Sequence, residues 1–279
     1  MALIDCFLLT ENAASTHTWT LISHDPAVLP DDALAKELAD RIVGFQCRGA
    51  IQHYHAWKAK SQGGNPLSDS ARRALEAFLS PVFGTPGNPQ AIPKDHLEGY
   101  IGQMLWYFLY EERRIQESIC RIVPPGFKAT DPGGDGLVVH RRLDATLMFR
   151  LWEMKKFVPT SDTSNSSVAS TVNTAYNQLD TKALEYLARY TTICQELDDP
   201  ELRTLYGQLV DLWVDASDQA AAGVSVATCS SYVPQRCFET FGQRFPRFAS
   251  PVRLRGMLTA IGDFAAFSCK VRECVWSGL

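Results

Sequence analysis

The chain has 279 residues, 46% of them apolar and 21% charged, and its 27 basic against 31 acidic side chains leave a net charge of −4. This is the composition of a globular protein of one large domain or two modest ones, and its acidic balance argues against a strong autonomous DNA binder: a nuclease with this charge needs a local basic groove or a partner that delivers its substrate. No apolar run reaches the length of about 18 residues that a transmembrane helix needs, and none of the eight cysteines forms the close pair that zinc favours.

Residues 2–10 and 18–23, rich in Leu, Ile, Phe and Trp, read as two strands. The N-terminal segment has no basic run ahead of its apolar residues, and Asp5 interrupts them, so it does not read as a signal peptide. With reduced cysteines, a cytoplasmic protein is expected. Asp31 and Asp32 open a helix running to about Trp57, with Leu34, Leu38, Ile42, Phe45 and Ile51 roughly at helical spacing. His53 and His55 lie on it two residues apart and diverge by about 200° on the helical period, which excludes them as a metal pair.

A short helix follows at about 68–80, and the Pro/Gly-rich stretch 81–93 marks a boundary near residue 90. The chain thus divides into an N-terminal α+β region, 1–90, and a second domain, 91–279. Asp95 reads as an N-cap, with Glu98 three residues on as its capping-box partner. The helix it opens runs to about Ile119, and only Ile122 and Val123 remain for a strand before the hairpin.

The chemistry is expected in Gly134–Phe157. Two apolar runs, Leu137–Val139 and Leu147–Trp152, flank a polar break at Asp144, Ala145 and Thr146, a β-hairpin pattern. If those three residues form the loop, Leu143 lies opposite Leu147, Asp135 opposite Lys155 and Leu137 opposite Glu153. The odd-numbered residues then share a face: Asp135, Glu153 and Lys155 beside Leu143, Val139, Phe149 and Leu151. A loop one residue shorter would move Asp135 to the other face. Two carboxylates and a lysine converging there suit phosphodiester hydrolysis, the carboxylates holding Mg²⁺ and the lysine positioning water and offsetting transition-state charge. The competing reading is a surface hairpin ending in a solvated Glu/Lys pair.

A helix over about 167–197 and another over 200–217 follow, then a strand at 223–229. The segment 236–255 interleaves Arg236, Arg244, Arg247, Arg253 and Arg255 with Phe238, Phe241, Phe245 and Phe248. Arginine with aromatics suits phosphate contact and base stacking, and suits equally a packed element with a basic edge. Pro251 then opens a final helix to about Trp276.

Asp135 followed 18 residues later by Glu153-x-Lys155 resembles the PD-(D/E)xK restriction-endonuclease-like nucleases. Gly134 stands where that superfamily usually has proline, and the strand at 122–123 is short for its α-β-β-β-α-β core. The resemblance implies a mixed α/β fold: a restriction-endonuclease-like core of helix, hairpin sheet, helix and strand, with the N-terminal region as an α+β extension. It makes Asp135, Glu153 and Glu98 the ligands of Mg²⁺, or of Mn²⁺ in its place, and Lys155 the catalytic lysine. Glu98, on the preceding helix, and Gln178, on the helix after the motif, take supporting roles; a capping Glu98 and an exposed, helix-forming Gln178 stand beside these. Lys156, Arg244, Arg247, Arg253 and Arg255 would contact DNA.

Within that superfamily, Glu98 with its helix to Leu109, Gly134–Gly136 and Leu151–Phe157 most resemble the HamA family, the nuclease effectors of the bacterial Hachiman anti-phage system. That family works beside a helicase, HamB, so the resemblance implies a metal-dependent DNase subunit in a hetero-complex, with DNA affinity supplied by the helicase and no membrane association. Residues 1–90 would then serve partner binding. A stand-alone sequence-specific restriction endonuclease and a catalytically degenerate scaffold subunit are the alternatives.

Overall fold

A computed structural model describes residues 1–114, 117–126, 136–159 and 167–279. The order is β1 (Phe7–Ala13), β2 (Thr18–His24), α1 (Asp31–Gln46), α2 (Ile51–Ser61), α3 (Asp69–Phe83), α4 (Lys94–Glu112), β3 (Ile119–Val123), β4 (Gly136–Arg141) and β5 (Leu147–Phe157). After these come α5 (Val168–Thr191), α6 (Pro200–Gly207), α7 (Leu209–Val214), β6 (Ala220–Cys229), α8 (Phe241–Arg244), β7 (Leu254–Ile261) and α9 (Phe264–Trp276). The strands form one seven-stranded mixed sheet in the order β1-β2-β7-β6-β5-β4-β3. The middle strands β2, β7, β6 and β5 are mutually parallel, while β1 at one edge and β4 and β3 at the other join antiparallel.

Two apolar cores cover the two faces. One joins α1, α3, α4 and α9 to Val138, Trp152, Met154, Ala227, Met257 and Ile261. The other joins α5, α6, α7 and the phenylalanines of 238–248 to Val139, Phe149, Leu151, Val224, Val226, Leu254 and Leu258. Even-numbered residues of β5 thus enter the first core and odd-numbered ones the second, as pleating requires. The mixed α/β class follows from this three-layer arrangement. The division expected near residue 90 does not interrupt the sheet, because β2 pairs with β7, and α1 and α9 share a core.

The helix expected to start at Pro251 is β7 followed by α9. Leu254 and Leu258 look helical in spacing, yet they face one core while Met257 and Ile261 face the other. A strand buried on both faces loses its alternation and imitates a helix. The helix expected to reach Trp57 breaks into α1 and α2, and the one expected to reach Ile119 ends at Glu112, releasing Ile119 to open β3. The Phe/Arg segment puts Phe238, Phe241, Phe245 and Phe248 in the core, leaving none to stack on a nucleic acid.

The hairpin turn is shifted by one residue from its expected place. Arg142 N–H donates to Thr146 O at 2.8 Å and Ala145 N–H to Arg142 O at 3.0 Å, so the loop is Leu143, Asp144 and Ala145. Ala145 closes it at φ +66°, the left-handed position of a three-residue hairpin loop. The loop keeps an odd length, so the parity holds, but the register differs: Leu137 pairs with Leu151 and not with Glu153. Leu143, expected on the buried face, is fully exposed at the tip.

In the middle of the sheet Gly223 pairs with Trp152, and a Cβ there would lie 2.4 Å from the indole. Gly223→Ala should therefore destabilise the fold by about 1–3 kcal/mol through overpacking, read as a lower urea midpoint with unchanged slope. Ala145→Gly should raise the unfolding free energy by up to about 1 kcal/mol, read as a higher urea midpoint, because glycine adopts the left-handed conformation without the steric cost alanine bears.

Candidate functional site

β5 leaves the centre of the sheet carrying Glu153 and Lys155 on the α5 side. Glu153 is completely buried beside Val224, its register partner on β6, and Lys155 is about a quarter exposed. The Lys155 ammonium donates to Glu153 Oε1 at 2.6 Å. Burying a carboxylate is expensive unless charge and hydrogen bonds compensate, and Lys155 supplies that compensation while its own head reaches solvent. The solvated-pair reading does not describe a carboxylate with no exposure.

Glu98 lies elsewhere. It sits on α4 and bonds to Lys156, which also holds Asp95 at 2.7 Å. Lys156 is even-numbered and directed to the α4 layer, so this cluster occupies the opposite face of the sheet from Glu153 and Lys155. The capping box is also absent: Pro93 is the N-cap of α4 and offers no side-chain cap, and both acidic groups are turned to Lys156. Lys156, expected at DNA, is a half-buried counter-ion. Burial pulls its ammonium down, but the hydrogen bonds and charges of Asp95 and Glu98 outweigh that and hold it above its ordinary value. The Lys156 hydrogen bond in turn keeps the Asp95 carboxyl below the usual range.

Gln178 is half-buried on α5 and donates to the Tyr186 hydroxyl at 2.9 Å. Asp135 lies outside the described residues. Of the arginines expected at DNA, Arg253 donates to the carbonyls of Ala216, Ser217 and Ala220, and Arg255 pairs with Glu117 at 2.7 Å. These two are fastened to the protein itself. Arg244 and Arg247 are exposed, Arg244 near Asn177 and Arg247 on the carbonyl of Val214. The Lys156–Glu98–Asp95 cluster was not anticipated; its signal is a second lysine directly after Lys155, which a strand must send to the other layer.

Among the described residues no three His, Cys, Asp or Glu side chains gather into a metal cluster. Mg²⁺ seldom takes such a cage, binding instead through one or two carboxylates with water and substrate phosphate completing the octahedron. The hard oxygen donor of Glu153 fits that habit. No described helix is long and apolar enough to cross a membrane. No protein-family model and no curated protein matches this chain.

Lys156→Met should leave Glu98 buried with only the distant Lys94, 3.8 Å away, and destabilise the fold by about 3 kcal/mol. Glu98→Gln in the same chain should recover most of that loss in chemical denaturation. Asp95's depressed pKa adds stability that is present above its ordinary value and fades as pH falls through the depressed one. Lys156→Met should flatten that acid-side fall in midpoint against pH.

Proposed function

We propose that this chain is a metal-dependent deoxyribonuclease subunit that hydrolyses phosphodiester bonds in an anti-phage complex, under the control of a partner helicase. The supporting observation is the Glu153–Lys155 pair, a fully buried carboxylate bonded to a lysine that reaches solvent, on an interior strand of a mixed sheet. An ionised pair is an inefficient way to stabilise a core, where apolar residues of equal volume do as well or better; its presence argues for chemistry. The element order α4-β3-β4-β5-α5-α6-α7-β6 is compatible with the helix, hairpin sheet, helix and strand that the PD-(D/E)xK resemblance implies, with two short helices added before the last strand.

In this reading Glu153, with Asp135, holds Mg²⁺, which when bound polarises the scissile phosphate and acidifies a water. Glu153 is prevented from turning by its burial and its bond to Lys155. Lys155 supplies a positive charge at the strand end, where it orients the attacking water and offsets charge gathering on the phosphate oxygens. Glu98 is a structural counter-ion of Lys156 in this scheme, and Gln178 a support of α5 through Tyr186. The net charge of −4 leaves DNA capture to the helicase, with residues 1–90 available to bind it in the cytoplasm.

The test is plasmid degradation by the chain together with its helicase, in Mg²⁺ and in EDTA. Glu153→Gln should slow degradation by at least about a hundred-fold while leaving the thermal midpoint close to that of the parent. Lys155→Ala should slow it as much but also lower the midpoint, because it leaves the buried Glu153 carboxylate without its lysine. The Glu153→Gln/Lys155→Ala double variant should recover the midpoint without recovering cutting. EDTA should stop it. Undiminished cutting by the double variant overturns the assignment, and defined cuts by the isolated chain would replace it with a stand-alone restriction endonuclease.

A further inference from the structure

At the other end of β5, and on the other face, a cavity of about 650 Å³ opens between the hairpin turn, the start of β3 and the segment before β7. Four arginines line it, Arg141, Arg142, Arg150 and Arg255, against two carboxylates, Glu117 and Asp144. The position three residues before Glu153 sets it about 10 Å back along the strand. A chain with an acidic surplus has concentrated cations here.

Arg150 carries the argument. It is buried, at 3% exposure, yet among the described residues no carboxylate lies within ion-pair distance of it. Its Nη1 donates to His140 Nε2 at 3.0 Å and its Nη2 to the carbonyl of Val252 at 2.6 Å, while its Nε has no partner. His140 cannot answer the charge. It accepts from Arg150 through Nε2 and directs Nδ1 at the Glu117 carbonyl, so it is the neutral tautomer with the proton on Nδ1. Burial, then the charge of Arg150, hold it well below its ordinary pKa. Glu117 is already divided between Arg113 and Arg255, each at 2.7 Å. Asp144 is bound into the turn by Thr146. Burial lowers Arg150 only to about 10, so it remains a cation at neutral pH, and a buried cation requires an anion.

We propose that this cavity binds a small phosphate-bearing molecule of nucleotide size, with its phosphate seated between Arg150 and Arg142. The guanidinium fork matches phosphate oxygens in pairs, and the volume lies in the range of small-molecule sites. The exposed Leu143 and Val252 form an apolar lip beside the charged floor. The site is separate from Glu153 and Lys155 and does not depend on their being catalytic.

Calorimetric titration of the full chain in EDTA at physiological salt tests it, with pyrophosphate, ADP, adenosine and a short single-stranded oligonucleotide as probes. ADP and pyrophosphate should bind at one site, and adenosine should not. Arg142→Glu, a rim substitution with little burial at stake, should weaken ADP by about ten- to hundred-fold. Arg150→Met should abolish binding, provided its circular dichroism matches the parent, and Arg142→Glu decides the matter if it does not. Glu153→Gln should bind ADP as the parent does, so failure of the nuclease reading would leave this result untouched. Binding of the oligonucleotide alone, adenosine binding as well as ADP, saturation by no probe, or indifference to Arg142→Glu would each overturn the proposal.

Discussion

Everything in this molecule is arranged around a strand that has no free side. β5 has β4 on one edge and β6 on the other, with one apolar core above and another below. Each of its side chains must enter one core or the other, and neither admits a charge without a partner. Trp152 fills the α4 side by lying over the bare backbone of Gly223, while Phe149 and Leu151 fill the α5 side. The charged groups at 150, 153, 155 and 156 are all placed under this constraint. Each is tied to another polar group of the protein: Arg150 to His140, Glu153 to Lys155, Lys156 to Glu98.

The same constraint separates two kinds of polar feature. Glu153 with Lys155, and Glu98 with Lys156, are neutralised within the protein, and differ mainly in that Lys155 keeps more of its surface in water. Arg150 is answered only by neutral acceptors. Local electrostatics therefore differ between the two ends of one strand: balanced towards the C-terminal end, cationic towards the N-terminal end. A net charge summed over the whole chain conceals that difference.

What could be read from the sequence divides along physical lines. The hairpin, the parity of Glu153 and Lys155, the long helix after it and the strand near 223–229 were all legible, because each leaves a strong local pattern. β7 was not, since burial on both faces erases period-two alternation and Leu254 and Leu258 happen to fall four apart. The turn was displaced by one residue because Ala145, not glycine, occupies the left-handed position, so composition carried no mark of it. Glu98 was associated with capping and with metal because Asp95 and Glu98 have capping-box spacing; its true partner, Lys156, is 58 residues away, beyond any local rule. The phenylalanines of 238–248 illustrate the same limit, since aromatic spacing does not say which way a short helix will face.

Strand ends ordinarily fray, because their last residues have few contacts and water competes for their hydrogen bonds. At the end of β5 two consecutive lysines are drawn in opposite directions, Lys155 towards a carboxylate on the α5 side and Lys156 towards two on the α4 side. Lys155 is paired within β5 itself, whereas Lys156 ties the strand to α4, so this end cannot peel away without breaking the ion pairs to Asp95 and Glu98. The C-terminal end of β5 is in consequence fastened to the α4 layer. Whatever charge Lys155 presents to solvent comes from a strand anchored on its opposite face by the neighbouring Lys156.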